Sequence, residues 1–327
     1  MRLLGLIISI VLTTYTAVAD VLIEHQLAKL AESQGLELGL AAIHLETGKI
    51  VQVNGNRQFP LASTYKVPMA AYALHLVEKG KLSFDDMFEV HDVDLNISSP
   101  ITVAFPHKGL QISLLNLIEP TLVYSDNTAT DVLFRAIGGG RPVTTWLHQN
   151  GFHNIRIDRS TAGLIRGFLQ MPFDGKTSLS KQYMEVYGAK GNEPDSALLN
   201  SFYDKFRSDS QDQGTALAMA KFLGALVKGD VISDENTKRL LEIMKRCKTG
   251  AERIPAGVPK EFLPIAHKTG SIARSINDVG LIDLVDGSQI ALAVFVVGPV
   301  GDNWSGTDTQ NKLIAAATSK LVQYFTK

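Results

Sequence analysis

The chain has 327 residues, 45% of them hydrophobic and 20% charged, with a formal net charge of −1. This balance suits one large domain or two modest ones with ample core. No basic excess points to nucleic acid or to an anionic membrane surface, so neither is expected as a partner. The single cysteine, Cys247, excludes an intrachain disulfide. Its place in the basic stretch from Met244 to Lys248 favours a structural thiol over a nucleophile.

Arg2 precedes a nearly charge-free run from Leu3 to Val18, and Ala17-Val18-Ala19 stands before Asp20. This is the pattern of a signal peptide over residues 1–19. The apolar run is short for a spanning helix. The mature chain is therefore expected to be periplasmic or secreted, with no membrane attachment after signal removal. Val21 to Gln34 carries apolar residues at positions 23, 27 and 30, a helical spacing stopped by Gly35. Leu38 to Glu46 reads as a strand, and Lys49 to Val53 as its return after the Thr47-Gly48 turn.

Ser63 and Lys66 then stand three residues apart where a helical pattern begins. Such a pair shares a helix face. A serine hydroxyl needs a neighbouring base to become a nucleophile, and a desolvated lysine can supply one. The spacing alone is weak, because an N-cap serine followed by a solvated lysine gives the same pattern. Positions 67, 70, 71, 74 and 77 continue the helix to Gly80. Pro68 implies either a local distortion or a later start of the helix proper.

Leu110 to Leu117, Asn127 to Ile137 and Val143 to Gln149 read as helices. Residues 156–212 are the least regular part, with only short helical patches; such a segment in a compact domain is usually functional. Thr215 to Lys228 is a helix, and Ser233 is an N-cap for the next. Ile265 to Lys268 is strand-like. Asn277 to Val285 and Gln289 to Val297 form a hairpin whose second strand suits burial on both faces. A helix with Leu313, Ala317, Leu321 and Tyr324 closes the chain. Strands at both ends and helices between them imply one sheet built from the two termini, with an inserted helical region.

Two further triplets complete a pattern: Ser125-Asp126-Asn127 and Lys268-Thr269-Gly270. With Ser63-x-x-Lys66, in this order, they form the signature of class A β-lactamases and penicillin-binding proteins. The sequence resembles class A serine β-lactamases over essentially the whole mature chain. Ile137-Gly138-Gly139 and Asn277-Asp278-Val279-Gly280 add to the likeness, particularly to the branch with an aspartate at the position of Asp131. The resemblance implies an α/β plus all-α fold of the β-lactamase/transpeptidase type: an antiparallel sheet flanked by helices, with an inserted helical subdomain. The α/β part would comprise 20–60 and 216–327. The helical part would comprise 61–215, including an enlarged loop at about 159–212.

The resemblance also implies roles. Ser63 would attack the lactam carbonyl, Lys66 would help remove its proton, and Ser125 would relay a proton to the leaving nitrogen. Backbone N–H groups of Ser63 and Ser271 would form an oxyanion hole. Lys268, Thr269 and Ser271 would hold the substrate carboxylate, with Arg274 as a possible helper. Asn127 would bind the side-chain amide of the substrate and Lys66. No cofactor or metal is expected: the eight histidines lack H-x-H and H-E-x-x-H spacing. His267 reads as packing beside Lys268. The expected partner is a small β-lactam or related acyl substrate, and the chain is expected to be a monomer.

One catalytic position departs from the family. Two residues after the arginine matching Arg159, the family has the glutamate that activates the deacylating water; here Thr161 stands there. Asp212 matches the aspartate that closes the family's loop, so the segment between is an insertion. Glu193, in Glu193-Pro194 before Leu199-Asn200, is the first substitute, and Glu185 the second. The usual aromatic gatekeeper region reads Ser98-Ser99-Pro100. Three functions follow: a β-lactamase acting through an acyl-enzyme on Ser63, an acylating serine hydrolase or penicillin-binding protein with slow deacylation, or a non-catalytic β-lactam or cell-wall sensor.

Overall fold

The computed structural model describes residues 21–188, 194–299 and 308–326; the leader expected at 1–19 and the candidate base Glu193 lie outside them. Helix α1 (21–32) leads into strands β1 (Glu37–His44), β2 (Ile50–Val53) and β3 (Gln58–Pro60). A 3-10 turn, Ala62–Tyr65, runs into α2 (Lys66–Glu78). There follow β4 (Met87–Glu89), α3 (Pro100–Ala104), β5 (Gln111–Ser113), α4 (Leu114–Val123), α5 (Asn127–Ala136) and α6 (Gly140–Gln149). The segment between Arg159 and Asp212 contributes α7 (Thr161–Leu169), α8 (Leu179–Tyr187) and α9 (Ser196–Ser208). Then come β6 (Gln213–Thr215), α10 (Ala216–Val227), α11 (Asp234–Met244), β7 (Ala266–Ile272), β8 (Ser275–Asp283), β9 (Gln289–Val297) and α12 (Asp308–Phe325).

The main sheet is antiparallel, in the order β2-β1-β9-β8-β7, so both ends of the chain build it. β9 lies at its centre and is buried from Ile290 to Val297. Its side chains alternate between faces. Ile290, Leu292, Val294 and Val296 enter one core with Leu27, Leu313 and Leu321. Ala291, Ala293, Phe295 and Val297 enter the other, which continues into the helical half through Leu74, Leu122, Leu133 and Phe222. One near-continuous apolar strand thus supports two cores.

Two local expectations change. Residues 111–113 are not helical; they pair with β4, and the helix begins only at Leu114, with Ser113 as its cap. Residues 156–212 hold three capped helices rather than short patches. The helix proper after Ser63 begins at Lys66, which accounts for Pro68: a proline in the first helical turn gives up an N–H that has no intrahelical acceptor.

The segment that holds α7 to α9 leaves and rejoins the body at one point. Asp212, buried and with φ of 54°, accepts hydrogen bonds from the backbone N–H of Asp158 (2.8 Å) and of Arg159 (3.0 Å), and from the Arg159 guanidinium. Arg156 N donates to Gln213 O beside this clasp. Removing one partner of a buried charge pair leaves the other uncompensated. Asp212→Ala is therefore expected to lower stability by roughly 3 kcal/mol, read as a shift in urea midpoint, and to expose the 159–212 segment to proteolysis. A midpoint unchanged from that of the parent chain would show that the clasp is not a structural support.

Candidate active site

A cleft of about 560 Å³ opens between the sheet edge and the helices. Ser63, Ser125, Asn127, Thr161, Thr269 and Ser271 line it. Ser63 sits inside the 3-10 turn, one residue after Ala62, whose φ is 45°. Strand β7 runs beside that turn. A Cβ built on Gly270 would lie 2.8 Å from Leu61 O and 3.0 Å from the backbone nitrogens of Ser63 and Thr64. Only glycine allows this approach, which brings the backbone of Ser271 next to that of Ser63.

Lys66 is fully buried in the first turn of α2. Its Nζ donates to Ser125 O (2.8 Å), Ser125 Oγ (3.2 Å) and Asn127 Oδ1 (2.8 Å). Ser125 has φ of 58°, a costly conformation for a side-chain-bearing residue that turns the chain just before α5. Asp126 holds this turn: it caps α5 through Ala129 N (2.8 Å) and accepts from Ile101 N (2.8 Å) and Ser99 Oγ (2.9 Å). Asn127 Nδ2 donates to Ile97 O (2.9 Å). Burial, and then the charge of Lys268, push the pKa of Lys66 well below the usual lysine value.

Lys268 is also fully buried, and its Nζ donates to Thr269 O at 2.8 Å. Burial above all, with Arg253 adding to it against Cys247 and Asp278, lowers its pKa to about 8. Thr269 Oγ1 lies 2.6 Å from Thr249 Oγ1. Arg253, which the sequence reading did not single out, is the arginine on this wall. Its Nη2 donates to Ser271 Oγ (2.9 Å), its Nη1 to Asn277 O (2.9 Å), and its Nε to Asn311 Oδ1 (2.9 Å). No local motif marks it, because its partners come from β7, β8 and α12. Arg274, expected as a helper at the carboxylate, instead donates to Gly298 O (2.8 Å), meets Asp204 (3.3 Å) and lies over the Tyr203 ring. It does not line the cleft.

Thr161 begins α7 and is buried. Its hydroxyl lies 2.7 Å from Tyr65 Oη. Asp131 of α5 accepts from the backbone N–H groups of Thr161 (2.6 Å) and Ala162 (2.9 Å) and from Asn96 Nδ2 (3.0 Å), so it anchors the start of α7. Asp131 does not line the cleft, and Glu185 does not either; Glu185 is an exposed residue of α8 at 3.9 Å from Lys181. Among the described lining residues Glu252 is the one carboxylate, half-exposed beside Arg253. Leu164, Ile165 and Phe168 of α7 make an apolar wall, and Tyr124 brings an aromatic ring to a rim where Ser98 has none. Among the described residues no group of three or more His, Cys, Asp and Glu side chains could hold a metal.

The close approach at Gly270 yields a direct test. Gly270→Ala forces a methyl group against backbone and is expected to cost about 1–3 kcal/mol by overpacking, read from the urea midpoint, with faster amide exchange at Ser63 and Thr64. An unaltered midpoint with unaltered exchange would mean that the strand and the turn are not in contact.

A model of the beta-lactamase enzyme family matches residues 22–325. The chain is 27% identical over 275 residues to the β-lactamase VEB-1 of Pseudomonas aeruginosa, covering 81% of this chain and 79% of that one. It is 28% identical over 301 residues to the β-lactamase OXY-2 of Klebsiella oxytoca, covering 92% and 88%. Among solved structures it resembles a β-lactamase from Chitinophaga pinensis, with a TM-score of 0.72, 26% identity and coverage of 92% and 98%. It shares its fold, at a TM-score of 0.72 and 23% identity over 93% of this chain and 96% of the other, with a variant of PBP-A solved as an acyl-enzyme with penicillin G. With a family match over nearly its whole length and the three motifs meeting in one cleft, the chain belongs to the beta-lactamase enzyme family and has the class A fold.

Proposed function

We propose that this chain is an exported serine hydrolase of class A type that opens β-lactam rings through an acyl-enzyme on Ser63. The observation that carries this reading is the buried Lys66, bonded to Ser125 and Asn127 at the cleft that holds Ser63. Burial and Lys268 lower the pKa of Lys66, so its ammonium gives up a proton readily, and the neutral amine so formed is able to take the Ser63 proton. Ser125 Oγ, 3.2 Å from Lys66 Nζ, passes a proton to the lactam nitrogen as the C–N bond breaks. The backbone N–H groups of Ser63 and Ser271 receive the developing oxyanion. Lys268, Thr269 and Ser271, braced by Arg253 and Thr249, bind the substrate carboxylate.

Release of the acyl group is the distinctive step. Thr161 has no carboxylate, and its hydroxyl is engaged with Tyr65. Glu193 is our assignment for the water-activating base. A second reading is favoured by Thr161: acylation proceeds, release is slow, and the protein acts as a penicillin-binding protein. A non-catalytic sensor would have no need of the Lys66–Ser125 relay.

Intact mass and hydrolysis, followed together after adding a penicillin, separate these readings. The expected result is one acyl adduct per chain, absent in Ser63→Ala, whose hydrolysis of the penicillin falls by roughly a thousandfold or more. Hydrolysis that stalls as the adduct accumulates in Glu193→Gln supports the base assignment; unaltered turnover in that variant rejects it. An adduct that persists in the parent chain supports slow release. Reversible binding without an adduct on Ser63 would overturn both acylation readings.

The pH profile gives a second test. Lys268 loses its charge as pH rises through about 8. KM for a carboxylate-bearing substrate is therefore expected to rise above pH 8, whereas Lys268→Arg, which keeps its charge, leaves KM flat to pH 10. A flat profile in the parent chain would remove Lys268 from carboxylate binding.

A further inference from the structure

Helix α7 borders two separate spaces. Thr161, Leu164, Ile165 and Phe168 line the cleft that holds Ser63. Ala162, Gly163 and Arg166 line a second cavity, of about 250 Å³. Residues three and four apart share a helix face, so Arg166 stands on the same side of α7 as Ala162 and Gly163. Helix α5, the turn at Val93 and Asp94, Arg159 and Phe173 close the rest of this cavity. None of the groups proposed to act on a β-lactam lines it.

Three guanidinium groups, of Arg135, Arg159 and Arg166, and two carboxylates, of Asp94 and Asp131, lie on its walls. The carboxylates are already engaged. Asp94 Oδ2 accepts from Arg135 Nη2 (2.8 Å) and from His91 N (2.9 Å). Asp131 accepts from the N–H groups of Thr161, Ala162 and Asn96. The other two arginines are not so well served. Arg166 is buried, and it donates to two neutral acceptors, Gln182 Oε1 (2.9 Å) and Thr177 O (2.8 Å). Among the described residues it has no ion-pair partner. Burial works against its charge, which Asp131 and Asp174 support only from a distance. Arg159 gives Nε to Asp212 and Nη1 to Asp209 (3.1 Å), but its Nη2 is buried without an acceptor. A buried charge without an ion partner and a buried donor without an acceptor are both costly. Both occur at one cavity, and one oxyanion between the two arginines satisfies both.

The surroundings also select the anion. Asp94 and Asp131 repel a second negative charge, so a monocarboxylate is favoured over a phosphate dianion. The Arg166 guanidinium lies over the Phe173 ring, 4.3 Å from its centroid. Its face is thus covered, and its edge is left for the in-plane acceptors of a planar carboxylate. Val93, Phe134 and Ala162 give the cavity an apolar side. Its volume is below the roughly 300–1,000 Å³ of sites for drug-sized ligands. We infer that this cavity binds the carboxylate of a small organic acid with an apolar body, held between Arg159 and Arg166 on the side of α7 away from Ser63.

Benzoate is the probe, titrated into the folded chain by calorimetry and by amide chemical shifts. A dissociation constant below about 5 mM is expected, with shifts at Ala162, Gly163 and Arg166. Methyl benzoate, which has the same ring and no charge, should bind at least about tenfold more weakly, and so should inorganic phosphate. Arg166→Gln should weaken benzoate about tenfold; if that variant does not fold, the shifts in the unaltered chain still decide. A constant above about 5 mM, or equal affinity for the ester, overturns the proposal. Shifts confined to Thr269 and Ser271 would put the acid in the cleft and overturn it as well. Equal affinity for phosphate overturns the choice of a carboxylate. No arm uses a β-lactam, so the outcome does not depend on what Ser63 does.

Discussion

The structure depends on keeping two lysine ammonium groups, Lys66 and Lys268, out of water at one cleft. Each buried ion costs several kcal/mol unless its surroundings replace the lost hydration. Three acceptors on Ser125 and Asn127 do this for Lys66, and the carbonyl of Thr269 does part of it for Lys268. Burial first, and then their mutual repulsion, lower the pKa of Lys66. The left-handed turn at Ser125, the cap by Asp126 and the close passage at Gly270 all serve to hold acceptors and backbone around these two side chains. Cost in stability and reactivity have the same origin here, because a lysine that is hard to protonate is also a usable base.

The second constraint is the clasp of Arg159 and Asp212, which ties off the segment that holds α7, α8 and α9. Three helices lie between these two residues, and the ends of the segment that holds them meet at one point. Asp131 continues the anchoring by holding the first turn of α7 through two backbone N–H groups. As a result α7 presents Thr161 and an apolar wall to the cleft. The cleft thus combines residues of the three motifs with a wall supplied by α7.

Much of the fold was legible in the sequence. The β8–β9 hairpin and the helices α5, α10 and α12 follow from apolar period, with stop signals after α5 and α10, which are local properties. The insertion was harder to read. α7 does carry an apolar stripe, in Leu164, Ile165, Phe168 and Leu169, but Gly163 and Gly167 interrupt it, and α8 buries only Leu179. α9 did carry a signal, in Leu199, Tyr203 and Phe206 after the cap Asp195, at spacings of four and three. The short strand β5 escaped notice because three residues are too few to show a period of two against the helix that follows.

The sequence by itself determined the residue types that chemistry needs. Ser63, Lys66, Ser125, Asn127 and Lys268 stand in motifs whose spacing is set by single turns and strands, so their identity and order were readable without a structure. Tertiary structure alone decided which of two arginines serves the cleft. Arg253 reaches Ser271, while Arg274, closer in sequence, is held by Gly298 and Asp204. It also decided that Thr161 is bound to Tyr65 and that His267 faces Asp278. Those partners are separated by many residues and meet only when separate elements pack, and no local period or spacing records such a meeting.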